Sequence, residues 1–214
     1  MTSAKQFQKV LAEFAEGGVD ILLGTQMVAK GLDFPKVSLV GVASADTSLA
    51  VPDFRASERT FQLIVQVAGR AGRGQTAGEV VVQTLHEQEP AIVFASRHDY
   101  DAFAAWELPL RKSAGLPPFC RLLRLIVRHP SIVQAEKDVL LLHQRIRPLL
   151  PAGVEAVPPQ PAGVKKIRNR FRFQILLKSA QAGVVQQRVL ESIATLTAGL
   201  RSEVAWDVDP INLL

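Results

Sequence analysis

The spacing of apolar residues predicts an α/β layer in the first part of the chain. In residues 6–16 and 57–71 apolar side chains recur every three or four positions, which is typical of amphipathic helices. Residues 19–23, 37–43 and 78–84 are short apolar runs bounded by polar residues, Gly or Pro, a pattern typical of buried parallel strands. The order helix, strand, strand, helix, strand predicts an α/β fold with a parallel sheet, in which ligands bind at strand ends and in the loops that follow them.

The second part of the chain has a different order of elements. A stretch over residues 89–114 predicts a helical connector, interrupted near His98-Asp99 and ended by Gly115-Leu116-Pro117-Pro118. The pattern beyond it predicts a strand, a helix, two strands, a helix and a strand, over residues 121–128, 131–149, 154–157, 171–178, 182–200 and 204–208. This β-α-β-β-α-β order is typical of a small two-layer α+β domain. We therefore expect three parts: residues 1–88, a connector over 89–116 and a domain over 117–214.

Composition excludes several classes of protein. Of the 214 residues, 48% are hydrophobic and 21% are charged, which excludes a disordered tail, a collagen-like fibre and a small disulfide scaffold. Cys120 is the single cysteine, so no internal disulfide forms, and the four histidines lack the spacing of metal ligands. We expect no zinc or other metal site. The sequence shows no leader pattern and no apolar run of about eighteen residues, so we expect a cytoplasmic protein without membrane contact.

The charge is unevenly divided along the chain. Residues 1–116 carry 11 Lys and Arg against 13 Asp and Glu, a net charge of −2, whereas residues 117–214 carry 14 against 7, a net charge of +7. This difference predicts a polyanionic partner such as DNA for the second part, or else a basic face that contacts only solvent.

The cations of the second part concentrate just before a predicted strand. Residues 165–173 contain five of them: Lys165, Lys166, Arg168, Arg170 and Arg172. Strand alternation places Phe171 and Phe173 on one face and Arg170 and Arg172 on the other. We expect Phe173 to lie in the core, while Phe171 either joins it or is exposed and stacks on a base. The five cations predict DNA binding, with a solvated hairpin as the alternative.

The most informative segment is residues 66–73, Gln-Val-Ala-Gly-Arg-Ala-Gly-Arg. Arg70 and Arg73 are three positions apart, so a helix places both guanidinium groups on one face, where they could contact phosphate oxygens. Taken alone, the segment also fits a surface helix with salt-bridging arginines and a glycine C-cap. The segment over residues 24–35 adds information, because it is polar, contains glycine and follows a predicted strand.

Residues 24–35 resemble motif V of superfamily 2 helicases, and residues 66–73 resemble their motif VI. The run from Gly24 to Val42, the segments over 52–62 and 116–119, and the ending Asp207-Val208-Asp209-Pro210 are similar to the PriA family of replication-restart DNA helicases. The resemblance covers nearly the whole chain. It implies the second RecA-like lobe of such a helicase, from motif V onward, followed by a small α+β domain.

The resemblance also implies roles for individual residues. Arg73, assisted by Arg70, would contact the γ-phosphate of ATP as an arginine finger, and Gln66 would help to orient that site. Gly31 and Asp33 would bind nucleotide, although Asp33 could instead be a turn or N-cap residue before Pro35. DNA contacts are implied for Gly24, Thr25, Gln26 and Lys30.

The sequence lacks the motifs that would hold the rest of an ATPase site. There is no GxxxxGK[ST] loop, no DExH motif and no pair of CxxC zinc ligands. The chain is therefore expected to correspond to the carboxy-terminal part of a helicase, to be inactive by itself, and to meet ATP and Mg²⁺ only in a complete helicase. By the resemblance, partners would be forked or single-stranded DNA, the amino-terminal helicase portion, primosomal proteins and single-stranded-DNA-binding protein. The alternative is a non-catalytic DNA-binding or primosome-scaffolding protein.

Overall fold

The computed structural model describes residues 4–25, 34, 36–69, 71, 78–181 and 183–213. These residues divide into two units: the first contains residues 1–49 and 57–100, and the second contains residues 50–56 and 101–214. The short segment over residues 50–56 therefore belongs with the second unit, although it comes from the middle of the first unit's sequence. The expected connector over 89–116 is shared between the two units.

The first unit contains the parallel strand pair that the sequence predicts. Strands β1 (Leu39–Val42) and β2 (Glu79–Val82) are paired in parallel, with Leu39 opposite Glu79 and Val42 opposite Val82. The helices of this unit are α1 (Ala4–Glu16), α2 (Asp46–Leu49), α3 (Ala56–Ala68) and α4 (Pro90–Ser96). The buried stripe of α3 includes Phe61, Ile64 and Val67, as its helical spacing requires.

The strand predicted over residues 19–23 is wrong. These residues have no regular secondary structure, and the side chains of Ile21 and Leu23 are 81% and 91% exposed. A parallel strand needs a paired neighbour and a cover on both faces. In the described part of the chain the parallel sheet has two strands, and its Leu39 and Val81 are themselves 58% and 51% exposed. Among the described residues, neither β1 nor β2 pairs with the apolar run over 19–23.

The second unit has the predicted β-α-β-β-α-β order after its first helix. Its elements are α5 (Tyr100–Ser113), β3 (Arg121–His129), α6 (Ile132–Ile146), β4 (Val154–Ile167), β5 (Arg170–Ser179), α7 (Val184–Glu191), α8 (Ile193–Thr197) and β6 (Glu203–Val208). The helix predicted over 182–200 is divided in two at Ser192 (φ −93°, ψ 0°), which is both the C-cap of α7 and the N-cap of α8. The strands form an antiparallel sheet in the order β4-β5-β3-β6.

The core of the second unit lies between one face of this sheet and the helices. Alternate residues of β3 and β5, such as Leu125 and Ile175, are fully buried against Val139 and Leu142 of α6. Phe173 is in this core, as predicted. Phe171 is partly buried against the same core, and the Lys166 ammonium lies 4.6 Å from the centre of its ring. Both observations favour the core interpretation of Phe171 over base stacking.

Residues 50–56 form a strap on the second unit. Phe54 of the strap packs against the buried side chains of Cys120, Leu122 and Leu176. One carboxylate oxygen of Asp53 accepts a hydrogen bond from the amide of Leu213 (2.9 Å), so the strap is also attached to the chain's last residues. No helix in the described part of the chain is long and apolar enough to cross a membrane.

Candidate nucleic-acid interface

The face of the second unit's sheet that points away from the core carries a cluster of arginines. Because alternate residues of β3 from Leu123 to Val127 enter the core, Arg124 and Arg128 point to the opposite side. On β5 the same side carries Arg170 and Arg172, and the register places Arg128 directly opposite Arg172. Like charges directly opposite each other destabilise an antiparallel pair. The arrangement therefore favours the binding of an anion.

Arg172 is the most buried of the five cations predicted over residues 165–172. It is 8% exposed, and one guanidinium nitrogen donates a hydrogen bond to the carbonyl oxygen of Val164 (3.1 Å). Burial lowers the pKa of its guanidinium, and the neighbouring charges of Arg124 and Arg128 lower it further. Arginine nevertheless stays protonated in proteins, so the repulsion among these three cations persists in the folded sheet.

Two carboxylates of β6 partly compensate this charge. Asp207 forms an ion pair with Arg124 and accepts a hydrogen bond from its guanidinium group (3.1 Å). Glu203 lies between two arginines, with one carboxylate oxygen 3.2 Å from Arg128 and the other 3.5 Å from Arg170. The surface formed by these strands and the tip of the β4–β5 hairpin is called the basic face here; its five arginines are Arg124, Arg128, Arg168, Arg170 and Arg172.

A cavity of about 340 Å³ opens on the basic face. Its lining includes four arginines, the carboxylate of Glu203, Ile126 and Ile167. Three of these arginines, Arg168, Arg170 and Arg172, were singled out from the sequence, and the fold brings them together. Lys165 and Lys166 were singled out with them but are not part of this lining.

The tip of the β4–β5 hairpin has an unusual backbone. Ile167 pairs with Arg170, so the loop has two residues, and both have positive φ: 48° for Arg168 and 61° for Asn169. Such a turn is of type I′, which Asn and Gly tolerate well and Arg does not. A residue kept in a strained conformation at a turn is a frequent mark of a functional position. Here the strain accompanies the placement of the Arg168 side chain beside the cavity.

The fold also shows which residues of this interface the sequence analysis missed. Arg124, Arg128 and Glu203 come from β3 and β6, outside the cation-rich segment. A signal was present in β3, where Arg124 lies within the apolar stretch over residues 122–127 and Arg128 follows it, at positions that share one face.

The predicted nucleotide and motif V residues fall largely outside the described part of the chain. Arg70 and Arg73 lie outside it, as do Gln26, Lys30, Gly31 and Asp33. Gln66 is half-buried in the last turn of α3, and Gly24 and Thr25 are exposed in a stretch without regular structure. Their roles stay predictions.

A polar cluster lies where β1 and β2 end. One carboxylate oxygen of Asp46 accepts a hydrogen bond from the Thr84 hydroxyl (2.8 Å) and lies 2.8 Å from Nδ1 of His86. The other oxygen accepts the amide of Leu85 (3.0 Å). The hydrogen bond with His86, followed by those from Thr84 and Leu85, lowers the pKa of Asp46 from 3.8 to about 2. The sequence analysis missed this cluster, since its partners are about forty positions apart.

Asp46 is expected to make the first unit sensitive to acid. A carboxylate whose pKa is lowered by folding contributes stability above its ordinary pKa, and this contribution disappears as the pH falls from about 4 to about 2. Asp46→Asn should therefore lower the urea midpoint of unfolding at pH 6 and have little effect near pH 2. Asp20→Asn, a change at an exposed carboxylate of the same unit, is the control. If Asp46→Asn lowered the urea midpoint of unfolding by the same amount at pH 6 and at pH 2, this account would be contradicted.

Two family models match the chain. The model of the helicase conserved C-terminal domain matches residues 1–75, and that of the primosomal protein N C-terminal domain matches residues 112–211. The chain is 41% identical over 207 residues to the replication restart protein PriA of Treponema pallidum, covering 97% of this chain and 32% of the relative. For PriA of Bacillus subtilis the identity is 39% over 210 residues, covering 97% and 26%, and for PriA of Haemophilus influenzae it is 37% over 216 residues, covering 99% and 29%. The chain thus spans about a third or less of the length of these relatives.

Proposed function

We propose, from the premise that the chain belongs to the family of the replication restart protein PriA and matches the carboxy-terminal part of its members, that its second unit binds the phosphate backbone of DNA. The family assignment confirms the resemblance drawn from the motifs. It also confirms a RecA-like helicase lobe with a parallel sheet, followed by a small α/β domain.

The observation that carries the proposal is the convergence of five arginines on one face of the second sheet, where two carboxylates contact them. Guanidinium groups match phosphate oxygens in geometry, and each phosphate that they neutralise releases condensed counterions. The sheet is a rigid support for these side chains, since its other face is the core of the unit. The net positive charge of the second part of the chain favours the same partner.

The first unit supports a role in ATP-dependent DNA unwinding within a complete helicase. Its match to the helicase conserved C-terminal domain includes the predicted motif VI residues, the first of which, Gln66, lies in the last turn of α3. In the proposal, Arg70 and Arg73 stabilise the charge that develops on the γ-phosphate, and Gly31 and Asp33 contact the nucleotide. ATP and Mg²⁺ would be bound mainly by the helicase portion that carries a phosphate-binding loop.

The name shared by the relatives supports a place in replication restart, where the partners would be primosomal proteins and single-stranded-DNA-binding protein. A non-catalytic scaffold remains the second candidate, and the exposed apolar side chains of Leu39 and Val81 on the parallel sheet favour a protein neighbour for the first unit.

A pair of glycine substitutions at the hairpin tip tests the role of the basic face. Arg168→Gly and Asn169→Gly both relieve a residue with positive φ, so neither should unfold the hairpin. Only Arg168→Gly removes a charge beside the cavity. It should weaken binding of a labelled single-stranded oligonucleotide and make the slope of log affinity against log salt shallower by about 0.7 for each lost phosphate contact.

The matched variant decides the interpretation. Asn169→Gly should bind the oligonucleotide with the affinity and salt slope of the unaltered chain, as measured by fluorescence anisotropy over a range of salt concentrations. If both variants lose affinity equally, the shape of the hairpin and not the charge of Arg168 is responsible. If the unaltered chain shows no salt-dependent binding, the proposed function is wrong.

A further inference from the structure

We propose that the cavity on the basic face is a phosphate site whose resident occupant is the carboxylate of Glu203, so that a ligand binds by displacing this side chain. The inference rests on the proposed function and adds a specific competitor to it. The ligand chemistry is a phosphate group with two accessible oxygens, either in a nucleic-acid backbone or at a strand terminus.

The contacts of Glu203 resemble those expected of a bound phosphate. Its two oxygens contact two different guanidinium groups, those of Arg128 and Arg170, at 3.2 and 3.5 Å. Two non-bridging oxygens of one phosphate could make the same pair of contacts. The carboxylate brings one negative charge, and the four arginines of the cavity leave an excess of positive charge beside it.

Glu203 is held weakly enough to be displaced. Its side chain is 52% exposed, and Arg170 is 47% exposed, so solvent screens the pair and its net stabilisation is small. A phosphate contacted by several arginines in a concave site is attracted more strongly. The exchange of one anion for another is therefore favourable for a phosphate-rich ligand.

The displacement needs no movement of the backbone. Asp138 of α6 accepts hydrogen bonds from the amides of Arg201 (3.1 Å) and Ser202 (2.8 Å), which fixes the chain immediately before Glu203. Glu203 itself is paired within the sheet opposite Arg128. A rotation about the side-chain bonds of Glu203 is enough to open the site.

The site also contains a donor that a ligand could satisfy. Nε of Arg128 is buried, and within the described part of the chain it has no hydrogen-bond partner. A buried donor without an acceptor is costly, and an oxygen of a bound phosphate could remove that cost. Glu203 already contacts the other end of the same guanidinium, through Nη2.

The test is Glu203→Gln, which keeps the shape of the side chain and removes its charge. We expect this variant to bind a single-stranded oligonucleotide about tenfold more tightly than the unaltered chain, since a like charge is removed from the phosphate site. Glu155→Gln is the matched control. Glu155 forms an ion pair with Lys178 on the same sheet. Lys178 lies opposite Leu122, six residues before Arg128 along β3, so Glu155 is about 20 Å from Arg128 along the strand direction. At 0.1 M salt this exceeds the screening length of about 10 Å, so the control should change affinity less than twofold.

A double-mutant cycle separates displacement from a general charge effect. When Arg128 and Arg170 are both replaced by Gln, the gain from Glu203→Gln should fall below about twofold, because the competitor no longer has guanidinium groups to occupy. A gain that persists in this background would overturn the inference. Circular dichroism on each variant excludes unfolding as the cause.

Two further arms identify the source of the phosphate. Titration with pyrophosphate, followed by NMR of the arginine Nε–H resonances, tests the site without DNA, and tighter binding by the Glu203 variant supports the inference even if DNA binding fails. Oligonucleotides with and without a 5′-phosphate distinguish a terminal phosphate from the backbone. If the unaltered chain binds DNA with a steep salt slope while Glu203→Gln gains nothing for either probe, the inference is wrong and the proposed function stands.

Discussion

Replacing Arg73 by Ala is expected to lower the kcat for DNA-stimulated ATP hydrolysis about a thousandfold in a complete helicase that includes this chain. An arginine that contacts the transferred phosphoryl group stabilises charge present mainly in the transition state, and such residues contribute roughly 10³–10⁵-fold to turnover. DNA affinity should change little, since Arg73 is not among the residues predicted to contact DNA.

The control for Arg73→Ala is Arg97→Ala, an exposed arginine that follows α4 in the first unit. It removes the same charge from the same unit and should leave kcat unchanged. Steady-state hydrolysis at saturating DNA and a separate DNA titration measure the two effects. A loss of DNA affinity as large as the loss of kcat would make Arg73 a DNA contact or a structural residue.

The second large effect is expected on DNA binding when the five cations of residues 165–172 are replaced by Gln. If three or four of them contact phosphate, the slope of log affinity against log salt should become shallower by roughly two to three units on a single strand. At low salt this corresponds to a loss of affinity on the order of a hundredfold. Because Arg168, Arg170 and Arg172 line the cavity and the two lysines do not, we expect the three arginines to cause most of this loss.

Two partial variants test that assignment. Replacing only Arg168, Arg170 and Arg172 should give most of the change in slope, whereas replacing only Lys165 and Lys166 should give less than about one unit.

Phe171→Ala should lower the thermal midpoint of the second unit with little effect on DNA affinity, because its ring packs against the core. An unchanged salt slope in the five-fold variant, with its fold intact, would make the segment a solvated surface and favour a protein partner.

The fold of the second unit could be predicted from the sequence because its strands carry a strong local signal. Alternation in residues 171–178 fixes which side chains enter the core, and Phe173 lies where that alternation places it. The run over residues 19–23 carries no such signal. A short apolar run is typical of a buried strand, but the run itself holds no information on whether a neighbouring strand is present to pair with it.

The candidate site could be predicted only in the part that is contiguous in sequence. Arg168, Arg170 and Arg172 follow one another along the hairpin, so their common position follows from alternation. Arg128 joins them because β3 pairs with β5 in one particular register, and Glu203 joins them because β6 pairs with β3. Register depends on the whole packed sheet, which the local pattern does not contain. Arg70 and Arg73 were identified by family resemblance.

The position of the strap over residues 50–56 determines how this protein can be divided. A fragment that starts at residue 101 would contain every strand of the second sheet but would leave Cys120, Leu122 and Leu176 without the ring of Phe54. The amide of Leu213 would also lose its carboxylate acceptor. The second unit is thus discontinuous along the sequence, and no single continuous fragment contains it without also containing residues 57–100 of the first unit. During synthesis the strap emerges from the ribosome about fifty residues ahead of α5. The second unit is therefore completed only when its last residues return to a segment made early.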